Sequence, residues 1–442
     1  MRNNIVKRLW ACVLCIMLIG GLTACSGGGT TKTTQADSET GGTQAVEPQT
    51  LRVMWWGNQN RADLTSKMCE LFEQTHPGVT VEIEFTDFSG YWDKLSTLAI
   101  SSQMPDVIQM DLGYLAQYSE SGLLGELDSY MTNGSIDVSG VNATTLDSGK
   151  YKDVTYAIPT GVNATALAYR LDVVEAAGVE MPMEMTWSEF IAIAKTVYEK
   201  TGRTQTLTNG DYFEHGLRNA GLDYFNEDYT GLGFDDPSYI VDNWQRALTA
   251  FKEGYGLEPS KATATGKYDV FIQDTWAANI WTNQLANYES DSGCELGLVQ
   301  VVEDDEAKEP SNWLKPAMFW SIPTEAKNKD MASEFINFFI NETSVYDIVG
   351  VDRGIPIDKD IQSYIESKLE GAAAKNNTFI SWLSTEGKVG DLILDLNAES
   401  VQVRDLLAEI TQGVFLGVTT DLEAAAKDFM QEANKILAGA AK

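Results

Sequence analysis

The chain holds only two histidines, His76 beside Pro77-Gly78 and His215 in a polar stretch. Neither sits in an H-E-x-x-H spacing, so the sequence offers no zinc-hydrolase helix and no signposted Ser/His/Asp triad. G-x-S-x-G and Walker loops are absent as well. Asn226-Glu227-Asp228-Tyr229-Thr230-Gly231 begins like a calcium loop, but Pro237 stands where a bidentate Glu would coordinate, which leaves an acidic turn. With 64 carboxylates a glycosidase-like acid pair stays open, because its two members need only meet in space. The prominent residues are aromatic: Trp55, Trp56, Trp276, Trp313, Trp320 and Trp382 fall at expected strand ends or loops. Each is as well suited to a core as to a ligand. An indole face can stack on the C–H face of a pyranose, while Asn and Asp oxygens accept hydrogen bonds from its hydroxyls. Trp56, Asn58 and Asp111 follow strand signals, and open α/β sheets bind ligands beyond the carboxyl ends of their strands.

Alternating strand and helix signals must position these residues. Leu51 to Trp56 is an apolar run closed by Gly57-Asn58, and Leu64, Met68, Leu71 and Phe72 then follow helical spacing until Pro77-Gly78. Val79, Val81, Ile83 and Phe85 alternate with polar residues, as a strand requires. The spacing predicts a second helix over Tyr91 to Ile100, and Pro105-Asp106 opens a strand from Val107 to Met110. The pattern returns farther on. Thr165 to Tyr169 reads as a strand, and Thr186 with Glu189 forms a capping box ahead of Phe190, Ile193, Ala194, Val197 and Tyr198. Val270 to Gln273 reads as another strand leading to Trp276 to Trp281, and Leu422, Ala426, Phe429, Ala433 and Leu437 mark a closing helix. Such alternation predicts an α/β fold with mainly parallel sheets in two lobes, and the lack of a short repeat argues against solenoids and propellers.

Composition narrows the partners. Over 442 residues, 64 Asp+Glu against 32 Lys+Arg give a net charge of −32, the wrong sign for nucleic acid or for docking directly on anionic lipid. Arg2, Lys7 and Arg8 precede the apolar stretch Leu9 to Leu22, which is too short to span a bilayer comfortably and reads as an export signal. It ends at Leu22-Thr23-Ala24-Cys25, which resembles the lipobox of bacterial lipoproteins. That resemblance implies a lipid on Cys25 and removal of residues 1–24. Residues 26–50, rich in Gly, Ser, Thr and Gln, are expected to form a flexible tether with a reach of roughly 25–30 Å. Beyond the signal's Cys12 and Cys15 and Cys25, expected to bear the lipid, only Cys69 and Cys294 remain, without a C-x-x-C or a His pair. Free thiols are expected, with one disulfide as the alternative, and no zinc site.

The order of several motifs resembles a known family. Leu51-Arg52-Val53-Met54-Trp55-Trp56-Gly57, His76-Pro77-Gly78-Val79, Met104-Pro105-Asp106-Val107-Ile108-Gln109-Met110-Asp111, Ser121-Gly122-Leu123-Leu124 and Ala157-Ile158-Pro159 before Ala168-Tyr169-Arg170 are all similar to stretches of the carbohydrate-binding lipoproteins of bacterial ABC importers. So are Thr186-Trp187-Ser188-Glu189-Phe190 and Arg353-Gly354-Ile355-Pro356. These are family 1 solute-binding proteins of the maltodextrin-binding type, and the likeness runs from about Leu51 to the C-terminus. Tyr169-Arg170-Leu171-Asp172 departs from the family's usual Tyr-Asn at a turn. The resemblance implies a class II periplasmic-binding-protein fold with residues 51–157 and 295–345 in lobe 1, and 158–294 and 346–442 in lobe 2. Crossovers are expected near 157–160, 292–300 and 345–352. Carried over by position, it implies ligand contacts from Trp56, Asn58, Asp111, Asn163, Trp276 and Arg353. Trp320 and Trp382 match more weakly, and Tyr91, Tyr114 and Trp281 enter by location alone.

Asn58 and Asp111 could equally cap the helices that follow them, and Arg353 could pair with a carboxylate instead of a ligand. The expected protein is a monomeric, non-enzymatic receptor without a cofactor or metal, held to the membrane only through its lipid. It would bind a sugar, an oligosaccharide by expectation, and present it to ABC permease subunits. Two other readings stay open: an exported glycan-degrading lipoprotein enzyme, and a receptor for peptides or anionic solutes. The anionic version is disfavoured by the lack of a phosphate-cradling Gly loop or an Arg cluster.

Overall fold

The computed structural model describes residues 48–206, 211–259, 275–390 and 398–439, all within one compact unit that begins at Val46. The export signal, Cys25, most of the tether and the strand expected over Val270 to Gln273 lie outside the described residues. Eleven strands are described: β1 (Gln49–Trp56), β2 (Val79–Thr86), β3 (Val107–Met110), β4 (Lys150–Tyr151), β5 (Val154–Thr155), β6 (Ile158–Asn163), β7 (Thr165–Arg170), β8 (Thr204–Thr206), β9 (Thr275–Trp281), β10 (Leu296–Val299) and β11 (Lys315–Ser321).

The first sheet has the order β2-β1-β3-β11-β6, with β1 parallel to β2 and β3, and β11 antiparallel to both β3 and β6. The second has the order β10-β7-β9-β8, with β7 antiparallel to β10 and β9, and β8 parallel to β9. β4 and β5 form a separate antiparallel pair. Strand membership moves two of the expected boundaries. β6 belongs to the first sheet, so the chain crosses at Ala164 and not near 157. β10 belongs to the second, so the return lies between Val299 and Lys315. Ala164 is fixed in place: its N–H donates to Thr282 Oγ1 at 3.2 Å, and the Thr282 N–H donates back to its carbonyl at 2.9 Å.

Local chemistry explains the element bounds. The helix Gln59–Thr75 starts at Asn58, whose Oδ1 accepts from the Arg61 N–H at 2.9 Å, and buries Ala62, Thr65, Met68, Cys69 and Phe72 along one stripe. The next helix spans Phe88–Ile100, three residues earlier than predicted at its start, because Asp87 caps it through the Gly90 N–H. The capping box is present: the Thr186 N–H donates to Glu189 Oε2 at 2.9 Å ahead of the helix Trp187–Thr201.

Strand alternation sends Val53 and Trp55 to one face of the first sheet, against Phe72, Trp320 and Phe335, and Met54 and Trp56 to the other, against Tyr91, Trp92 and Ile108. Ala166, Ala168, Ala278 and Ile280 of the second sheet join the first of these cores. Leu167, Trp276 and Ala277 belong to a different core, with Trp187 and Phe190. A further core joins the helices Asp211–Asn219, Ser238–Lys252, Ala398–Phe415 and Leu422–Gly439. Cys69 and Cys294 are free thiols; Cys69 is buried, which pushes it up to about 12.

Candidate functional site

A cavity of about 330 Å³ opens between the lobes. On the first-sheet side its wall comes from Arg61 in the opening turn of Gln59–Thr75, Asn163 at the end of β6, Ala317 and Met318 on β11, and Asp352. Opposite stand Thr282 and Asn283 just after β9, Ala286 in the helix Leu285–Ser292, and Ala372 and Asn376 in the helix Gly371–Thr385, which packs on β10.

Asp352 holds Arg61 in a two-point grip, with Arg61 Nε donating to its Oδ2 at 2.7 Å and Arg61 Nη2 donating to its carbonyl oxygen at 3.0 Å. The loop carrying Asp352 is anchored one residue later. Arg353, 2% exposed, donates from Nη2 to Thr65 Oγ1 at 2.8 Å and from Nε to Gln109 Oε1 at 3.3 Å. Its guanidinium lies 5.4 Å from the Trp320 ring centre, so one buried cation ties a helix, β3 and β11 together. Burial lowers the group to about 9, which leaves it charged at neutral pH. Gly161 and Gly354 make this approach possible. Val162 of β6 bridges Ile355, a methyl at Gly161 would collide with the Arg353 carbonyl oxygen, and Gly354 adopts φ +89°.

Two cavity side chains each hold an oxygen that no described residue meets. Asn163 and Asn376 are each 7% exposed, and the Oδ1 of each is buried without a hydrogen-bond partner. Buried acceptors of this kind are costly unless something donates to them, and these two stand where a solute or water can do so.

The structure separates the residues anticipated from sequence. Asn163 lies in the cavity wall. Trp56 ends β1 inside an aromatic cluster, 5.4 Å from Phe88, 5.1 Å from Tyr91 and 5.7 Å from Trp92. Tyr114 stacks on Trp92 at 3.7 Å. Tyr91 is fully buried and donates its hydroxyl to the Gln109 carbonyl at 2.6 Å; burial raises its pKa well above the usual tyrosine value. Asn58 and Asp111 are N-caps, the latter accepting from the Gly113 N–H at 2.9 Å. Trp281, at the end of β9, stands edge-on to Trp313 at 5.9 Å, next in sequence to Thr282 of the cavity. Trp382 is half-buried on Gly371–Thr385, 6.4 Å from Phe379.

Three expectations need correction. Trp276 lies inside β9 with 0% exposure and stacks on Phe190 at 6.0 Å. Trp320 is equally enclosed, 5.8 Å from both Phe335 and Phe339. Both strands are covered on the faces in question, so neither indole has a surface to offer a solute. Arg353 reaches into the protein and not toward the cavity, where its neighbour Asp352 stands. Sequence reasoning missed Arg61, Asp352, Thr282, Asn283 and Asn376. The one available signal was the adjacent Arg353-Gly354-Ile355-Pro356 element.

Comparison with known proteins agrees with this architecture. A family 1 extracellular solute-binding protein of Alicyclobacillus acidocaldarius superposes with a TM-score of 0.80 at 24% identity, over 89% of this chain and all of that one. The lactose-binding protein of Rhizobium radiobacter is 28% identical over 186 residues, 40% of this chain and 43% of its own length. The maltooligosaccharide ABC transporter solute-binding lipoprotein of Streptococcus pneumoniae is 22% identical over 312 residues, 66% of this chain and 69% of its own. The model of the bacterial extracellular solute-binding proteins matches residues 57–345, well over half of the sequence, and the chain belongs to that family.

Proposed function

We propose that this protein is the sugar receptor of a bacterial ABC importer, held on the outer face of the cell membrane through a lipid on Cys25. The cavity between the lobes carries the proposal: its wall is built from both sheets' elements, and its unmatched groups are amides suited to hydroxyls. A solute touching both walls favours the closed arrangement of the lobes over any open one, and closure is the state a permease can distinguish. The names of the lactose-binding and maltooligosaccharide-binding relatives support a carbohydrate as cargo. Among the described residues of the cavity wall Asp352 is the carboxylate, and it already holds Arg61.

A thermal-shift screen of mono- and oligosaccharides tests the reading, since a ligand that binds only the native state raises its melting temperature. A receptor gives saturable binding with the sugar recovered intact, whereas turnover of the sugar would refute the proposal in favour of an enzyme. For the anchor, Cys25→Ala should release the protein or leave an unprocessed precursor. Normal membrane retention of a processed Cys25→Ala protein would remove the lipid from the account.

A further inference from the structure

We infer that the interlobe cavity selects an uncharged, hydroxyl-rich ligand and turns away sugar acids, with Asn163 and Asn376 as its specificity-determining groups; the inference rests on the receptor reading above. The first argument is charge. Among the described lining residues Arg61 is the sole cation, and Asp352 takes both its Nε and its Nη2. With that pair neutral, a carboxylate entering the partly dehydrated cavity gives up hydration and meets no uncommitted cation among the described lining residues, a cost that an uncharged sugar does not bear. Two lysines neighbouring these asparagines in the fold have contacts of their own. Lys375, beside Asn376, donates to Glu289 at 2.9 Å, to Glu295 at 3.0 Å and to the Leu296 carbonyl at 2.9 Å. Lys315, which faces Asn163 across the β6–β11 ladder, places its ammonium 5.3 Å from the Trp281 ring centre.

The second argument is the pair of amides. Asn163 belongs to the first sheet and Asn376 to a helix packed on the second, so a single guest meeting both must span the lobes. A hydroxyl both donates and accepts, and it therefore satisfies whichever edge an amide presents; a carboxylate only accepts and leaves a buried amide oxygen unpaired. At about 330 Å³ the cavity lies near the lower end of small-ligand pockets, which run from about 300 to 1,000 Å³, and this favours a short sugar over a long chain.

Calorimetric titration of the full chain decides the matter. The probes are glucose, galactose, arabinose, lactose, maltose and maltotriose, set against glucuronate, galacturonate and digalacturonate at one ionic strength. At least one neutral sugar should bind, and its acid counterpart should bind at least about tenfold more weakly, the effect of one uncompensated charge contact. Asp352→Asn should narrow that gap by releasing Arg61. Asn376→Ala removes an oxygen with no partner among the described residues, so it should keep the melting temperature while weakening the neutral sugar by about 3- to 10-fold. An acid that binds as tightly as its neutral counterpart, or an Asn376→Ala protein of unchanged affinity, overturns the selectivity and leaves a sugar receptor standing. Failure of every probe, neutral and acidic, overturns the receptor reading and the selectivity with it.

Discussion

Acidification should weaken this protein through one buried imidazole. His215, in the helix Asp211–Asn219, is 1% exposed and packs 5.4 Å from Trp313, which in turn meets Trp281 edge-on next to the cavity residues Thr282 and Asn283. Burial first, and the nearby Arg218 cation second, lower its pKa from 6.5 to about 4; the Glu214 carboxylate and a hydrogen bond with the Ser311 backbone oppose them only in part. The native state thus holds a neutral ring, while an unfolded chain takes up a proton at about 6.5. Stability from this group is complete above 6.5 and is lost as the pH falls toward 4, because protons then favour the unfolded chain. At about 1.4 kcal/mol for each tenfold change in proton affinity, the loss between pH 7 and pH 4 is about 3 kcal/mol. The assay is urea unfolding of the native chain and of His215→Gln across that range. Gln keeps a polar group but cannot titrate, so the stability difference between the two proteins isolates the ring from the titration of the carboxylates. That difference should shift by about 3 kcal/mol against the native chain on going to pH 4. A flat difference would refute the reasoning, because it would mean that His215 reaches water or a proton acceptor in the folded state.

Two further outcomes follow from packing. Trp276→Ala should cost about 3–5 kcal/mol of folding stability, measured by denaturant unfolding, and the sugar affinity of the folded fraction should be unchanged; an intact stability with lost affinity would return Trp276 to the ligand. Gly161→Ala should force the Arg353 carbonyl away, displace the loop that carries Asp352, and lower both melting temperature and sugar affinity together; an unaffected protein would show that the loop is not held by this close approach.

The sequence made the opening β-α-β unit legible because its signals are local: an apolar run, a stripe of Met68 and Phe72, and a Pro-Gly stop lie within thirty residues of one another. The capping box at Thr186 and Glu189 was legible for the same reason. Asn58 and Asp111 carried a double meaning that only geometry resolves, since the same oxygen can cap a helix or meet a hydroxyl, and here both accept from backbone N–H groups. Trp276 and Trp320 misled because their strands are covered on both faces over the stretch that holds them, so nothing in the sequence marks either indole as enclosed. Asn376 was invisible for the opposite reason. It lies on a helix of low amphipathic contrast, and its place in the wall depends on how that helix packs against β10 and Leu285–Ser292, hundreds of residues from Arg61.

The position of β11 has a consequence for the order in which the molecule can be assembled during synthesis. β11 supplies the middle of the first sheet, between β3 and β6, yet the whole of the second sheet precedes it in the chain. Until Lys315–Ser321 has emerged, β6 has no strand neighbour and β3 presents a bare edge, so the first lobe stays incomplete even though its opening residues were made long before. Pairings of such sequence separation are slow to form, because a long loop must close before any contact rewards it. The first sheet therefore reaches its full complement of strands only after Ser321 has been made, later than every strand of the second.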